Sequence, residues 1–138
     1  MINLVVKDLN KNFGGLHVLK GVSFEINGPE LIGLIGPNGA GKTTLTNVLD
    51  GAIKPNSGTV YLDGIRIDQL QPFEVARHGL GRTFQVTRSF RRMTVLENLL
   101  VPALALDQGL SRPEIHDKAM EVLEFLTVDH LRNEFAQS

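Results

Sequence analysis

The chain has 138 residues with 14 Gly, 7 Phe, one Tyr and neither Trp nor Cys, which suffices for one domain core and excludes a disulfide scaffold or a thiolate metal centre. Its formal charge is -1, but the charge is segregated: residues 1–65 balance, residues 66–92 carry six Arg against Asp68 and Glu74, and residues 93–138 carry three basic against eight acidic residues. The basic span is too short for a nucleic-acid footprint, and the apolar runs are too short to cross a membrane. The opening MINLVVKDLNK lacks a basic n-region and is not expected to be a secretion signal.

Leu4 and Val6, then Val22, Phe24 and Ile26, alternate with the period of two expected of strands, with a turn at Phe13-Gly14-Gly15 between them. Gly28-Pro29-Glu30 is a second turn, followed by the run Leu31-Ile32-Gly33-Leu34-Ile35, which reads as a strand covered on both faces. Leu45, Val48 and Leu49 lie at helical spacing, and Gly51 is placed to terminate that helix. Residues 59–64 read as a short strand and turn, and residues 81–86 as a weaker strand. Between them, the helix after Gln71-Pro72 is expected to run to about His78, ended by Gly79.

From about residue 88 the pattern becomes helical. Thr94 and Glu97 form a capping-box pair, followed by Val95, Leu96, Leu99, Leu100 and Ala103 on one stripe. Ser111, Pro113 and Glu114 repeat the start signal, with Ile115, Ala119, Val122, Leu123 and Leu126 on the face that follows. The order strand, glycine loop, helix indicates an α/β domain. With a single two-face-buried strand, it is only part of such a sheet.

Residues 36–43, GPNGAGKT, satisfy the spacing G-x-x-x-x-G-K-[ST] between an expected strand and an expected helix. Gly36, Gly39 and Gly41 let the backbone curl so that its amides face an anion. The first helical turn adds unpaired amides and the positive end of its dipole. Lys42 reaches the β- and γ-phosphates, and Thr43 offers a hydroxyl to Mg²⁺. Asn38, Gly39, Ala40, Gly41 and Thr44 contribute mainly through the backbone. On the residues alone, Phe13 reads as turn packing and Gln85 as an ordinary hydrogen-bonding side chain.

GPNGAGKTT at 36–44, framed by KNFGG at 11–15, SGTVYLDG at 57–64 and GRTFQ at 81–85, resembles the ATP-binding subunit of ABC transporters. The texture is nearest that of branched-chain amino acid importers, and the likeness spans the chain but only about the N-terminal half of the family domain. The resemblance implies a P-loop NTPase fold of the ABC type, incomplete, with an N-terminal antiparallel β part. Residues 1–87 would be the nucleotide-binding core, and residues 88–138 the start of a helical subdomain that docks on membrane subunits. It also implies ATP and Mg²⁺ as ligands, with Phe13 stacked on adenine. Val18 flanks the base or is strand core. Gln85 would join Thr43 at the metal and Lys42 in catalysis. Implied partners are transmembrane permease subunits and a second ATP-binding subunit, at the inner face of the cell membrane, with no nucleic acid.

The family's signature motif, Mg²⁺-supporting Asp, water-polarising Glu and switch His have no counterpart in these residues, so this chain alone is expected to bind nucleotide without turning it over. Asp63, Asp68 and Glu74 are the acidic residues between the loop's helix and Gln85, and so the ones to examine for an overlooked base. The alternatives are a nucleotide-binding but inactive fragment, or an ABC-type ATPase outside transport. A P-loop kinase or GTPase fits less well, because Phe13-Gly14-Gly15 and GRTFQ flank the loop and a guanine-reading NKxD is absent.

Overall fold

The computed structural model describes residues 3–84, 89–105 and 109–137. They form two compact units, Met1–Arg82 and Thr83–Ser138.

In the first unit, β1 (Asn3–Phe13), β2 (Leu16–Asn27), β3 (Ser57–Leu62) and β4 (Ile65–Arg66) make an antiparallel sheet in the order β2-β1-β3-β4. The Gly14-Gly15 turn closes the β1–β2 hairpin at the Phe13–Leu16 pair. Alternation sets the buried face: Leu4 opposes Leu62 and Val6 opposes Val60, and all four are buried. The register slips where Asp8 takes φ 47°. There Gly58 passes so close that a Cβ on it would lie 2.5 Å from the Asp8 carbonyl oxygen. With φ at 93°, this position requires glycine.

Two helices complete this core. α1 (Lys42–Leu49) buries Leu45 and Val48, and α2 (Pro72–Arg77) buries Val75, in one cluster with Val6, Leu9, Val60 and Ile67. α2 starts on a Gln71/Glu74 capping box with Pro72 in its first turn, and His78 caps its end before Gly79 at φ 97°. That is the helix the sequence predicts, to within a residue.

The run at 31–35 departs from expectation. It forms no strand, and Leu31 and Ile35 are almost fully exposed. A strand covered on both faces needs hydrogen-bonding neighbours in the sheet and helices above and below it, and no described strand pairs with this segment. The weak strand expected at 81–86 is also absent over residues 81–84; residues 85 and 86 lie outside the described set.

In the second unit, α3 (Val95–Ala105) and α4 (Arg112–Phe125) are followed by a 3₁₀ turn at Asp129–Leu131. Both expected capping boxes form. The Thr94 amide donates to Glu97 Oε2 at 2.7 Å while the Glu97 amide donates to Thr94 Oγ1 at 3.2 Å, and the Ser111 amide donates to Glu114 Oε2 at 2.7 Å. α4 buries Ile115, Ala119 and Leu123, whereas Val122 and Leu126 stay exposed, so its apolar stripe is narrower than predicted. α3, though almost wholly apolar, buries no residue fully. Among the described residues, no helix is long and apolar enough to cross a membrane.

Candidate functional site

The glycine loop leads directly into α1. Gly39 and Gly41 sit at φ 85° and 86°, and Gly41 is the residue preceding the first helical turn. A Cβ at Gly41 would meet the Val18 carbonyl oxygen and Leu19 Cδ2, each at 3.2 Å, so the loop lies directly on β2. No side chain caps α1, and its first turn holds no acidic residue. The amides of that turn therefore point outward with the positive end of the helix dipole behind them, an arrangement that favours an anion. Lys42 Nζ curls over the loop and donates to the carbonyls of Gly36 at 2.5 Å and Pro37 at 2.8 Å. The Thr43 side chain is exposed, and its backbone carbonyl accepts from Thr46 Oγ1 at 3.0 Å.

A cavity of about 380 Å³ brings this loop together with the hairpin. It is lined by Phe13, Leu16 and Val18 on one side and by residues 38–44 on the other. Phe13 is half-exposed, and Lys11 Nζ lies 5.2 Å from its ring centroid. That ammonium also donates to the Lys54 carbonyl at 2.7 Å, which fixes it beside the ring. Leu16 and Lys11 escape a reading of the sequence alone. Leu16 has a signal: as the cross-strand partner of Phe13 in a tight hairpin, it must share Phe13's neighbourhood.

Gln85 lies outside the described residues, as does Arg88. The three acidic residues in question are all committed to structure. Asp63 Oδ1 accepts the Asn3 amide at 2.7 Å, and Glu74 Oε2 accepts the Gln71 amide at 2.7 Å. Asp68 is fully buried, held by Arg66 Nε at 2.9 Å, the Val60 amide at 3.1 Å and Gln69 Nε2 at 3.0 Å. Burial pushes its carboxyl up, but these hydrogen bonds outweigh burial and hold it below the usual carboxylate range. Among the described residues, no group of three or more His, Asp or Glu side chains could hold a metal ion. Arg82, one of the six Arg of the basic span at 66–92, turns onto α1. Arg91 and Arg92 are exposed.

An antiparallel sheet flanking a glycine loop and an uncapped helix defines a phosphate-binding class of protein. The family model for ABC transporters matches residues 19–138, and the chain belongs to that family. It is 36% identical over 145 residues to the "probable branched-chain amino acid transport ATP-binding protein LivG" of Archaeoglobus fulgidus, covering 98% of this chain and 56% of that protein. It is also 36% identical over 124 residues to the "lipoprotein-releasing system ATP-binding protein LolD" of Bacteroides thetaiotaomicron, covering 88% of this chain and 56% of that one. Among solved structures, the ADP conformation of MJ1267, an ATP-binding cassette of an ABC transporter, matches with TM-score 0.79 and 36% identity, over 99% of this chain and 58% of that one. A dimeric post-hydrolysis state of the cassette MJ0796, bound to ADP and Pi, matches with TM-score 0.77 and 27% identity, over 96% of this chain and 61% of that one. The chain thus spans a little over half the length of these relatives and has the P-loop ABC-ATPase fold with its N-terminal antiparallel sheet.

Proposed function

We propose that this chain is the nucleotide-binding part of the ATP-binding subunit of an importer for branched-chain amino acids, held at the cytoplasmic face of a membrane by permease subunits. The observation that carries the nucleotide reading is the cavity that joins Phe13 to the loop at 38–44. One wall offers an aromatic face and the other an array of backbone amides. In this reading Phe13 and Val18 flank adenine, the amides of residues 39–44 receive the phosphates, and Lys42 leaves its two carbonyls to pair with them. The Thr43 hydroxyl and, in the same reading, Gln85 would hold Mg²⁺, which when bound would supply positive charge to the phosphates.

Phosphoryl transfer is mostly positioning and charge neutralisation. These residues supply the cradle and part of the neutralisation. None of Asp63, Asp68 and Glu74 is placed to orient water. Residues 88–138 are read as the part that meets the permease, and a second ATP-binding subunit as the partner that completes the site, in keeping with the dimeric cassette relative.

Calorimetric titration of the 138-residue chain with Mg·ATP tests the site. Lys42→Ala is expected to remove most of the affinity and Phe13→Ala part of it, with far-UV dichroism unchanged. Equal affinity in all three proteins would remove the assignment. Phosphate release by the unsubstituted chain is expected to match that of Lys42→Ala.

A further inference from the structure

The C-terminal end of α1 is held by a residue 32 positions beyond it. Arg82 Nη1 donates to Asn47 Oδ1 at 2.5 Å and to Asp50 Oδ2 at 2.6 Å. Both acceptors belong to the last turn of α1 and the residue that caps it. The pair is sheltered: the Arg82 side chain is 26% exposed and that of Asp50 14%. α1 has no basic residue in its own last turn. The charge that complements the negative end of its dipole therefore comes from Arg82.

α1 is only eight residues long. Its first turn carries the loop and its last turn carries the Arg82 contacts, with Leu45 and Val48 pressing the middle into the core. Part-buried Leu49 packs against the same cluster, and these apolar contacts set the depth of the helix but do little to fix its axial position. Directional hydrogen bonds at the far end do so. A tilt at the Asp50 end displaces the amides at the Lys42 end.

We propose that Arg82 is a positioning residue for the phosphate cradle: by clamping Asn47 and Asp50 it fixes α1 so that the first-turn amides converge on one point. This rests on the nucleotide-site reading for its consequence but not for its geometry. Arginine suits the role because one guanidinium spans two acceptors at a fixed angle, which the point charge of lysine does not reproduce.

Two measurements on the 138-residue chain test it. Hydrogen exchange without nucleotide reads the clamp itself. Arg82→Ala is expected to speed exchange of the α1 amides at 45–50 about tenfold, the scale of one lost charge-assisted hydrogen bond. Amides of the β1–β3 ladder should be unchanged, Asp50→Asn should give a smaller effect, and Arg82→Lys should restore only part of the protection. Titration then reads the cradle. Mg·ATP affinity is expected to fall about tenfold in Arg82→Ala, on the same scale, while AMP, which lacks the β- and γ-phosphates, loses less. Unchanged α1 exchange in Arg82→Ala overturns the proposal. So does an equal loss for ATP and AMP accompanied by faster exchange throughout the sheet, which would make Arg82 merely a stabilising residue. If the unsubstituted chain binds no Mg·ATP, the nucleotide-site reading fails, and the exchange data alone still decide the clamp.

Discussion

Leu9 and Leu34 are the same side chain in two apolar stretches of one unit, yet Leu9 is completely buried and Leu34 is 51% exposed. β1, which holds Leu9, has a hydrogen-bonded strand along each edge, and its core cluster includes residues of α1 and α2. The segment at 31–35 has no described strand beside it. Its composition is the more strongly strand-forming of the two, so burial follows from pairing and cover more than from local sequence. The antiparallel half of this fold closes on elements within about 75 residues of each other. The phosphate loop is suspended between the two regimes: α1 anchors its C-terminal side, and the uncovered run forms its N-terminal side.

The largest expected effect tests that contrast directly. Leu9→Ala should cost about 3 kcal/mol of unfolding free energy, whereas Leu34→Ala should change it by no more than about 0.5 kcal/mol. Urea denaturation followed by dichroism measures both. A loss at Leu34 comparable to that at Leu9 would mean that the run is covered in solution. The same run exposes four large apolar side chains in succession around Gly33. Sedimentation velocity should therefore show association that grows with concentration and is reduced by Leu34→Lys.

A smaller effect sharpens the account of the closed half. Gly58→Ala drives a methyl group into the Asp8 backbone at positive φ, which should cost about 2 kcal/mol. Gly64→Ala serves as the control, because its φ is also positive at 80° but nothing lies within 4 Å of the added Cβ. The difference between the two variants, read from their urea midpoints, isolates the close approach from the backbone strain. Equal losses would remove the crowding argument.

The smallest effect lies in the helical unit, where exposed caps replace a closed core. Hydrogen bonds from the Thr94 amide and hydroxyl lower the Glu97 carboxyl below the usual range, and those from the Ser111 hydroxyl and amide do the same at Glu114. A native value below the unfolded one, about 4.3 for Glu, gives stabilisation that is complete above that pH. It is lost as pH falls through the native value. Acid titration followed at 222 nm should show a modest loss of helix below about pH 4, and the Glu97→Gln/Glu114→Gln double variant should flatten that step. An identical step in both proteins would place the acid sensitivity elsewhere, with Asp68 the first residue to examine.

Much of this architecture was legible in the residues. The capping boxes and the hairpin turn are local signals, each decided within four residues, and each formed as read; the glycine loop runs into its helix as read, but without the strand expected before it. What failed were inferences that depend on distant partners. Leu31–Ile35 reads as a buried strand because its composition suits one, but composition carries no information about which segments will flank it. The contact of Arg82 with α1 has no local signal, because its acceptors lie 32 and 35 positions away. Val122 and Leu126 fall on the predicted face of α4, yet only Ile115, Ala119 and Leu123 of that face are buried.

Lys42 spans the carbonyls of Gly36 and Pro37, so the loop carries its own cross-link. An incoming anion does not meet a bare ammonium but competes for one already engaged. In the proposed nucleotide reading, uptake at this site would be an exchange of partners, with a net heat smaller than a count of new contacts would give. Removing the lysine side chain does two things at once: it takes away a positive charge and unties the two ends of the loop. A Lys42→Arg variant would keep the charge while changing the tie, and the temperature dependence of its anion uptake would separate the loop's stiffness from its electrostatics.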